Sequence, residues 1–367
     1  MDPSLLHIGN VFYPPMGIAH ITHNLRDLFD DKIAGKNKIT IRSSSQPNSN
    51  PHLGTVTTIM VCFALAGYLQ DQFGIETEII YDLLENSPGE KRMNGGLEYQ
   101  LSLKDCIKDN TSVYELYLPN FLKIFDYSKQ KSNIRYRLRE YSEFQRLTIV
   151  RETVLKILNK RDAFINLVSP SEKNLHIRIG CPKCKLIEKG SRNLIIKEID
   201  ENKAILSNSC PDHGPFDVEV TSNNLDFIDI NTPLRDILQG VISIENDKIE
   251  KSLSIMVDGS DWAGVWALRV FCSGLLLLGY NKIPERIFAP MILDWSGAKF
   301  SKSLYLQSNA YNYLPKGFID FSMFLDTYGE RGLDSLWFEI QSWINDTKKL
   351  FRNYSIDYLK LILEKNK

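Results

Sequence analysis

The apolar positions change period along the chain, and each change marks an element. Lys38-Ile-Thr-Ile-Arg42 is a short β-branched run that reads as a strand. A turn-rich stretch from Ser43 to Pro51 follows, and then an apolar run from Val56 to Leu69 that is long enough only for a helix. Gly74 punctuates the end of that helix, and Glu76 to Leu83 reads as a second strand. Strand, helix and strand in this order form a βαβ unit, whose two strands run parallel.

The alternation is then interrupted. From Glu85 to Lys173 charges are frequent and the periodicities are helical, most clearly over Asn133 to Lys160, so residues 85–174 are expected to form a helical insertion. Within residues 175–222, the alternating stretches Leu194 to Glu198 and Ala204 to Ser207 suit a small hairpin structure. Strand and helix patterning returns with an apolar strand over Ser252 to Val257. A helix from Asp261 to Leu278, capped by Ser260, and a strand over Arg286 to Leu293 come next. From Pro315 to Lys367 the pattern is helical and amphipathic, with Leu336, Ile340, Trp343, Leu350 and Leu359 offering packed faces. The predicted class is α/β. A Rossmann-like parallel sheet is split into residues 1–84 and 223–306, the helical insertion and a small cysteine module lie between, and residues 307–367 form a helical tail.

Composition changes this picture little. With 367 residues, 43% of them apolar, the chain can bury a sizeable core in two or three structural units. Lys plus Arg number 44 against 45 for Asp plus Glu, so no global basic field advertises a nucleic-acid partner. The arginines at 135, 137, 139 and 146 are read as a solvated helix face, with RNA contact as the alternative. The opening MDPSLLHIGN lacks the features of a secretory signal, and no apolar run is read as spanning a bilayer, Val270 to Tyr280 being too short. A cytoplasmic protein is expected.

Chemistry enters with the loop after the first strand. Pro47-Asn-Ser-Asn-Pro51-His52-Leu-Gly54-Thr55 places a histidine and a glycine where a loop turns into a helix. Free N–H groups and the positive end of a helix attract phosphate, Gly54 permits close backbone approach, and His52 can donate to a phosphoryl oxygen. Far downstream, Gly297-Ala-Lys299-Phe-Ser301-Lys302-Ser303 brings two lysines around a serine, a loop able to set ammonium charges on a triphosphate. An ordinary capped loop and a plain solvated Lys/Ser loop are the alternatives for the two segments.

A second constellation is metal-like. Cys181-Pro-Lys-Cys184 and Cys210-Pro-Asp-His213 form C-x2-C and C-x2-H pairs, which supply four soft ligands for a structural zinc ion. Cys62, Cys106 and Cys272 lie in apolar or mixed contexts and are read as packing residues.

Together, PxxxPHLG and KFSKS resemble the HIGH and KMSKS signatures of class I aminoacyl-tRNA synthetases, in the right order. Between them, Asp258-Gly259-Ser-Asp261 resembles the GxD segment of that family, with Asp261 as a plain helix cap the alternative. The resemblance covers roughly residues 38 to 310. It is nearest to class I lysyl-tRNA synthetases, which similarly carry a Cys/His insertion between the motifs. It implies that His52, Lys299 and Lys302 act on the ATP phosphates. Pro51, Gly54, Thr55, Ser301 and Ser303 would contact ATP, Gly259 would pack near adenosine, and Asp261 would bond the ribose hydroxyls. Thr55 stands where the family often has histidine or asparagine. An amino-acid pocket is expected between residues 42–45, Asp82 and Asp258 to Trp262, with Ser44, Asp82, Asp258 and Trp262 on its wall. Residues 304–367 are short for an anticodon-reading domain, so the acceptor is left as tRNA, a small molecule or a carrier protein. The implied reaction is attack of an amino acid carboxylate on the α-phosphorus of ATP, with Mg2+ accompanying the nucleotide. A nucleotidylyltransferase of the same fold and a catalytically silent RNA-binding relative are the rival readings.

Overall fold

The computed structural model describes residues 22–300 and 311–365. β1 (Lys38–Ser45) lies at the centre of a five-stranded sheet and leads into α1 (Leu53–Phe73) and then β2 (Glu76–Leu83). A hairpin of β3 (Pro88–Asn94) and β4 (Leu97–Ser102) follows, then α2 (Val113–Ser132) and β5 (Arg135–Glu140), which is the edge strand beside β2. α3 (Thr148–Asn159) precedes a three-stranded antiparallel unit of β6 (Ile195–Ile199), β7 (Lys203–Cys210) and β8 (Gly214–Thr221). α4 (Thr232–Glu250) returns the chain to the sheet at β9 (Ser252–Gly259) and β10 (Glu285–Ala289). The C-terminal helices are α5 (Phe321–Ile344) and α6 (Ile356–Lys365).

The sheet order is β10-β9-β1-β2-β5, and every neighbouring pair is parallel. The chain therefore builds outward from β1 in one direction through β2 and β5, and in the other through β9 and β10, as in doubly wound folds. Period-2 alternation divides the side chains of the sheet between two cores. Ile39 and Ile41 join α1, α2 and α5 on one face, whereas Met256 and Phe288 on β9 and β10 join α3 and α4 on the other. α1 is apolar on most of its faces because most of them are covered, by the sheet, α2 and α5. It spans 21 residues and is long and apolar enough to cross a bilayer, which corrects the expectation that no apolar run qualifies; 67% of its most apolar window is buried inside the protein.

Three expectations are revised. Asn133 to Lys160 is not one helical stretch: Asn133 closes α2 in the left-handed region at φ 57°, and residues 135–140 pair in parallel with β2. Alternation of Tyr136 and Leu138 toward the core, satisfied by β2's open edge, overrides the helical spacing. With β3 and β4 as well, residues 85–174 are thus a mixed rather than purely helical segment. The segment 261–278 is also broken. A 3-10 turn at Ser260–Trp262 is followed by Gly264 at φ 74°, a π-helical stretch Trp266–Cys272 and an α-helical turn Ser273–Leu277. Ser260 caps no helix and instead donates to Asn353 Oδ1 at 2.9 Å. Finally, the strand predicted over 286–293 stops at Pro290, which has no N–H to give a ladder. Ile292–Leu293 pairs instead with Tyr354–Ser355 of the C-terminal segment.

α4 sits close against the Trp266–Leu277 segment because Gly240 leaves room for Phe271, whose ring atoms would lie 2.7 and 2.8 Å from a Cβ placed at Gly240. Gly240→Val is expected to lower the unfolding free energy by about 1–3 kcal/mol through overpacking. Urea denaturation checks this, and an unchanged midpoint would contradict the close approach of these two elements.

Candidate active site

The crevice opens at the carboxyl ends of β1 and β9, where the strand order turns and connections leave for opposite faces of the sheet. His52 is the N-cap of α1. Its Nδ1 accepts from the Gly54 N–H at 3.1 Å, a role that leaves the neutral ring's proton on Nε2, and Thr55 Oγ1 lies 3.5 Å from that nitrogen. Phe300 meets the ring edge-on at 5.6 Å between centroids. A Cβ at Gly54 would come within 2.9 Å of His52 Cε1, so glycine is what lets the ring fold back over the helix start. The result is a hydrogen-bond donor beside the positive end of a 21-residue helix.

Across the crevice, β9 ends at Gly259, and the Asp261 carboxylate folds back over it. A Cβ at Gly259 would lie 2.5 Å from Asp261 Oδ1. Lys299 donates to Asp261 Oδ2 at 2.6 Å, with both side chains partly exposed. The lysine is held there by a tight turn organised by Asp294, which accepts from Ser296 N at 2.8 Å, Ser296 Oγ at 2.6 Å and Ala298 N at 3.2 Å. Burial pushes the Asp294 carboxyl up, but these bonds and one from Tyr311 outweigh it and hold the group below the usual carboxylate range. Gly297, at φ 80°, allows the turn. Asn353 clamps the rim from the C-terminal segment, its Oδ1 accepting from Ser260 Oγ and from Met291 N at 3.2 Å.

The deeper wall comes from α4. Asn231 caps this helix, Pro233 sits in its first turn, and its apolar residues Leu234, Ile237, Leu238 and Val241 face the core. The same register turns Thr232, Arg235, Asp236 and Gln239 to the crevice. Asp236 and Asp258 share the fully buried Arg286, which lies 3.0 Å from Asp258 Oδ2 and stacks 4.3 Å over the Phe271 ring. Burial, the largest influence, pushes the Asp258 carboxyl up to about 6; Arg286 opposes it and Asp236 reinforces it. Trp266 Nε1 donates to Asp236 Oδ2 at 3.2 Å, and Trp262 packs edge-on against Trp266 at 4.5 Å.

The structure brings together on the crevice wall His52, Gly54, Thr55, Ser44, Asp258, Gly259, Asp261, Trp262 and Lys299. Pro51 is buried just before the cap. Asp82 is not on the wall: Arg139 grips it at 2.7 and 3.0 Å and Gln239 donates to it from α4, which makes it a brace beneath the pocket. Arg139 is accordingly buried, contrary to the solvated face expected of it, while Arg135 and Arg137 do face solvent in pairs with Glu76 and Glu143. Ser301, Lys302 and Ser303 lie outside the described residues. Sequence reading missed Arg235, Asp236, Gln239, Arg286, Asp294 and Asn353. The cap, proline and apolar spacing of α4 were the available signal for the first three.

The cysteine module is a separate cluster. The ligand atoms of Cys181, Cys184, Cys210 and His213 all lie within 4.8 Å of one another. Cys184 and Cys210 sulfurs are 3.6 Å apart, as are the sulfurs of Cys181 and Cys210 from His213 Nδ1. A zinc ion with Zn–S bonds of ~2.3 Å needs tetrahedral edges of about 3.8 Å, so the four residues fit it. The first knuckle is shaped by Lys185 at φ 64°, whose N–H bonds the Cys181 carbonyl at 2.8 Å. The chain between the two knuckles forms β6 and β7, the second knuckle turns β7 into β8, and β4 pairs with residues 187–188 beside them. Cys62 and Cys272 are buried, which pushes both thiols up to about 12, and they serve as packing residues.

A scan against protein-family models and a search of curated proteins return no match. Among solved structures, Mycobacterium tuberculosis methionyl-tRNA synthetase bound by methionyl-adenylate is similar, with a TM-score of 0.44 and 9% identity over 90% of this chain and 68% of that one. A putative arginyl-tRNA synthetase from Campylobacter jejuni is similar with a TM-score of 0.32 and 12% identity over 86% and 68% of the two chains.

Metal analysis of protein purified without chelator is expected to find roughly one zinc per chain, and Cys210→Ser is expected to lose it and to lower the thermal midpoint. Metal-free protein with the same stability as the untreated chain would contradict the assignment.

Proposed function

We propose that this protein activates an amino acid with ATP, forming an aminoacyl-adenylate and releasing pyrophosphate. The observation that carries this reading is the division of one crevice into two chemically distinct ends. At one lip, the start of α1, His52 Nε2 and Lys299 offer donors and positive charge. At the other, α4 and β9 line a recess with fixed, buried charges. An in-line displacement at the α-phosphorus needs this arrangement: phosphates held, leaving-group charge neutralised and a carboxylate aimed along one line.

Each residue then has a task. The α1 N-terminus and His52 hold phosphoryl oxygens, and Lys299, released from Asp261, stabilises charge developing on pyrophosphate together with Lys302. Asp261, once free of Lys299, accepts from ribose hydroxyls above Gly259. Mg2+ enters with ATP, since the carboxylates on the crevice wall, Asp236, Asp258 and Asp261, are engaged by Arg286 and Lys299. Zinc in the Cys181, Cys184, Cys210 and His213 cluster has a structural role, because four protein ligands leave no open position. The acceptor of the acyl group is tRNA or another nucleophile.

Amino-acid-dependent exchange of labelled pyrophosphate into ATP, run over all proteinogenic amino acids with and without total tRNA, tests the reading. Exchange with one amino acid is expected, and Lys299→Ala is expected to slow it by about 100-fold or more by removing charge stabilisation made only in the transition state. No exchange in any arm, or an unchanged rate in the variant, would contradict it.

A further inference from the structure

The buried cations near the crevice fall into two groups. Arg139 holds Asp82, and Arg286 lies between Asp236 and Asp258. Arg42 and Arg235 have no such partner among the described residues. For Arg42 the lack is most complete. This arginine is 5% exposed, forms no ion pair among the described residues, and its Nε and Nη1 have no hydrogen-bond partner there. The carboxylates nearest to it in the fold are already engaged. Asp82, one strand over, is filled by Arg139 and Gln239, and Asp247 accepts from Ser252 Oγ, Ser254 N and Ser254 Oγ at 2.7 to 2.9 Å. Arg235, 7% exposed on α4, is likewise in no ion pair among the described residues and donates to the Thr232 hydroxyl at 3.3 Å.

Both arginines line the crevice. Alternation along β1 puts Arg42 on the sheet face opposite Ile39 and Ile41, beneath α4 and away from the α1 lip where His52 stands. A buried guanidinium without a partner is costly, and the cost is removed when a ligand supplies the missing anion. An amino acid oriented for activation puts its α-carboxylate at the phosphate lip, so the group that reaches Arg42 is the end of its side chain. The excess acid at Asp236 and Asp258, two carboxylates to one Arg286, suits the α-ammonium.

We propose that Arg42, supported by Arg235, receives a carboxylate on the substrate's side chain, so that the pocket selects a dicarboxylic amino acid over neutral and basic ones. This rests on the activation reading above and opposes lysine, whose ammonium would meet Arg42 directly. Arg42 forms two hydrogen bonds to that carboxylate in the way guanidinium forks do.

The test is calorimetric binding of glutamate, aspartate, glutamine, asparagine and lysine to the full chain, with a non-hydrolysable ATP analogue present. One of the two acids is expected to bind at least about 30-fold more tightly than its amide, the size set by a desolvated charge pair. Arg42→Gln is expected to lose that preference while keeping its affinity for the ATP analogue. Arg42→Met is expected to match or exceed the wild-type urea midpoint, because it removes an unpartnered buried charge, whereas an arginine with a structural role would lower it. Tightest binding of a neutral or basic amino acid, no binding of either acid, an unchanged preference in Arg42→Gln, or a clear loss of stability in Arg42→Met would overturn the proposal. The two readings fail separately. Pyrophosphate exchange driven by a neutral amino acid would sink the pocket assignment and keep activation, while selective binding of an acid without exchange would do the reverse.

Discussion

The constraint on which the site depends is the divergence of the chain at β1 and β9. The two strands are parallel neighbours, yet β1 hands the chain to α1 on one face and β9 hands it to the Trp266–Leu277 segment on the other. No connection can cover the gap between their carboxyl ends, so a crevice is left there with a helix N-terminus on one side and the last turn of a strand on the other. Its floor is kept rigid by cross-links beneath it. The Asp82, Arg139 and Gln239 clamp ties β2, β5 and α4, and Arg286 ties β10 to β9 and α4.

These buried charges are an unusual choice for stability, since desolvation offsets most of what an ion pair gains. What they provide is position. Arg286 is fixed both by its two acids and by the Phe271 ring, and Asp236 is further fixed by Trp266. A charge that cannot move needs no reorganisation when a substrate arrives. Arg42 carries the same logic further, since its Nε and Nη1 have no hydrogen-bond partner among the described residues. By contrast, the lip is built from partly exposed groups, and the Lys299–Asp261 pair can open at little cost because solvent screens it.

The sequence was most informative where local chemistry decides structure. The β-branched run at residues 38–42, the apolar helix ended by Gly74, and the four metal-type ligands were legible because each depends on near neighbours. So were His52 and Lys299, which mark a helix cap and a turn. β5 was not, because Arg135 to Glu140 becomes a strand only when β2 offers an open edge. Arg139 looked like a surface arginine for the same reason: its partner Asp82 is on another strand. The break after Ser260 was hidden because Gly264 interrupts an otherwise helical spacing, and Asn353 was invisible because it reaches the rim from the far end of the chain. Local pattern gives elements, and the pairings that aim side chains into a site are set by topology.

The central claim is that one crevice holds an amino acid and a nucleotide in line with each other. Titration with a non-hydrolysable aminoacyl-adenylate mimic, a sulfamoyl adenosine carrying a dicarboxylic side chain, tests this most directly. The account predicts binding far tighter than that of AMP or the free amino acid, since one molecule then fills both ends without the second loss of translational freedom. Affinity no greater than that of AMP alone, for this mimic and for sulfamoyl adenosines carrying neutral and basic side chains alike, would mean that the two ends do not form one site, and would contradict it.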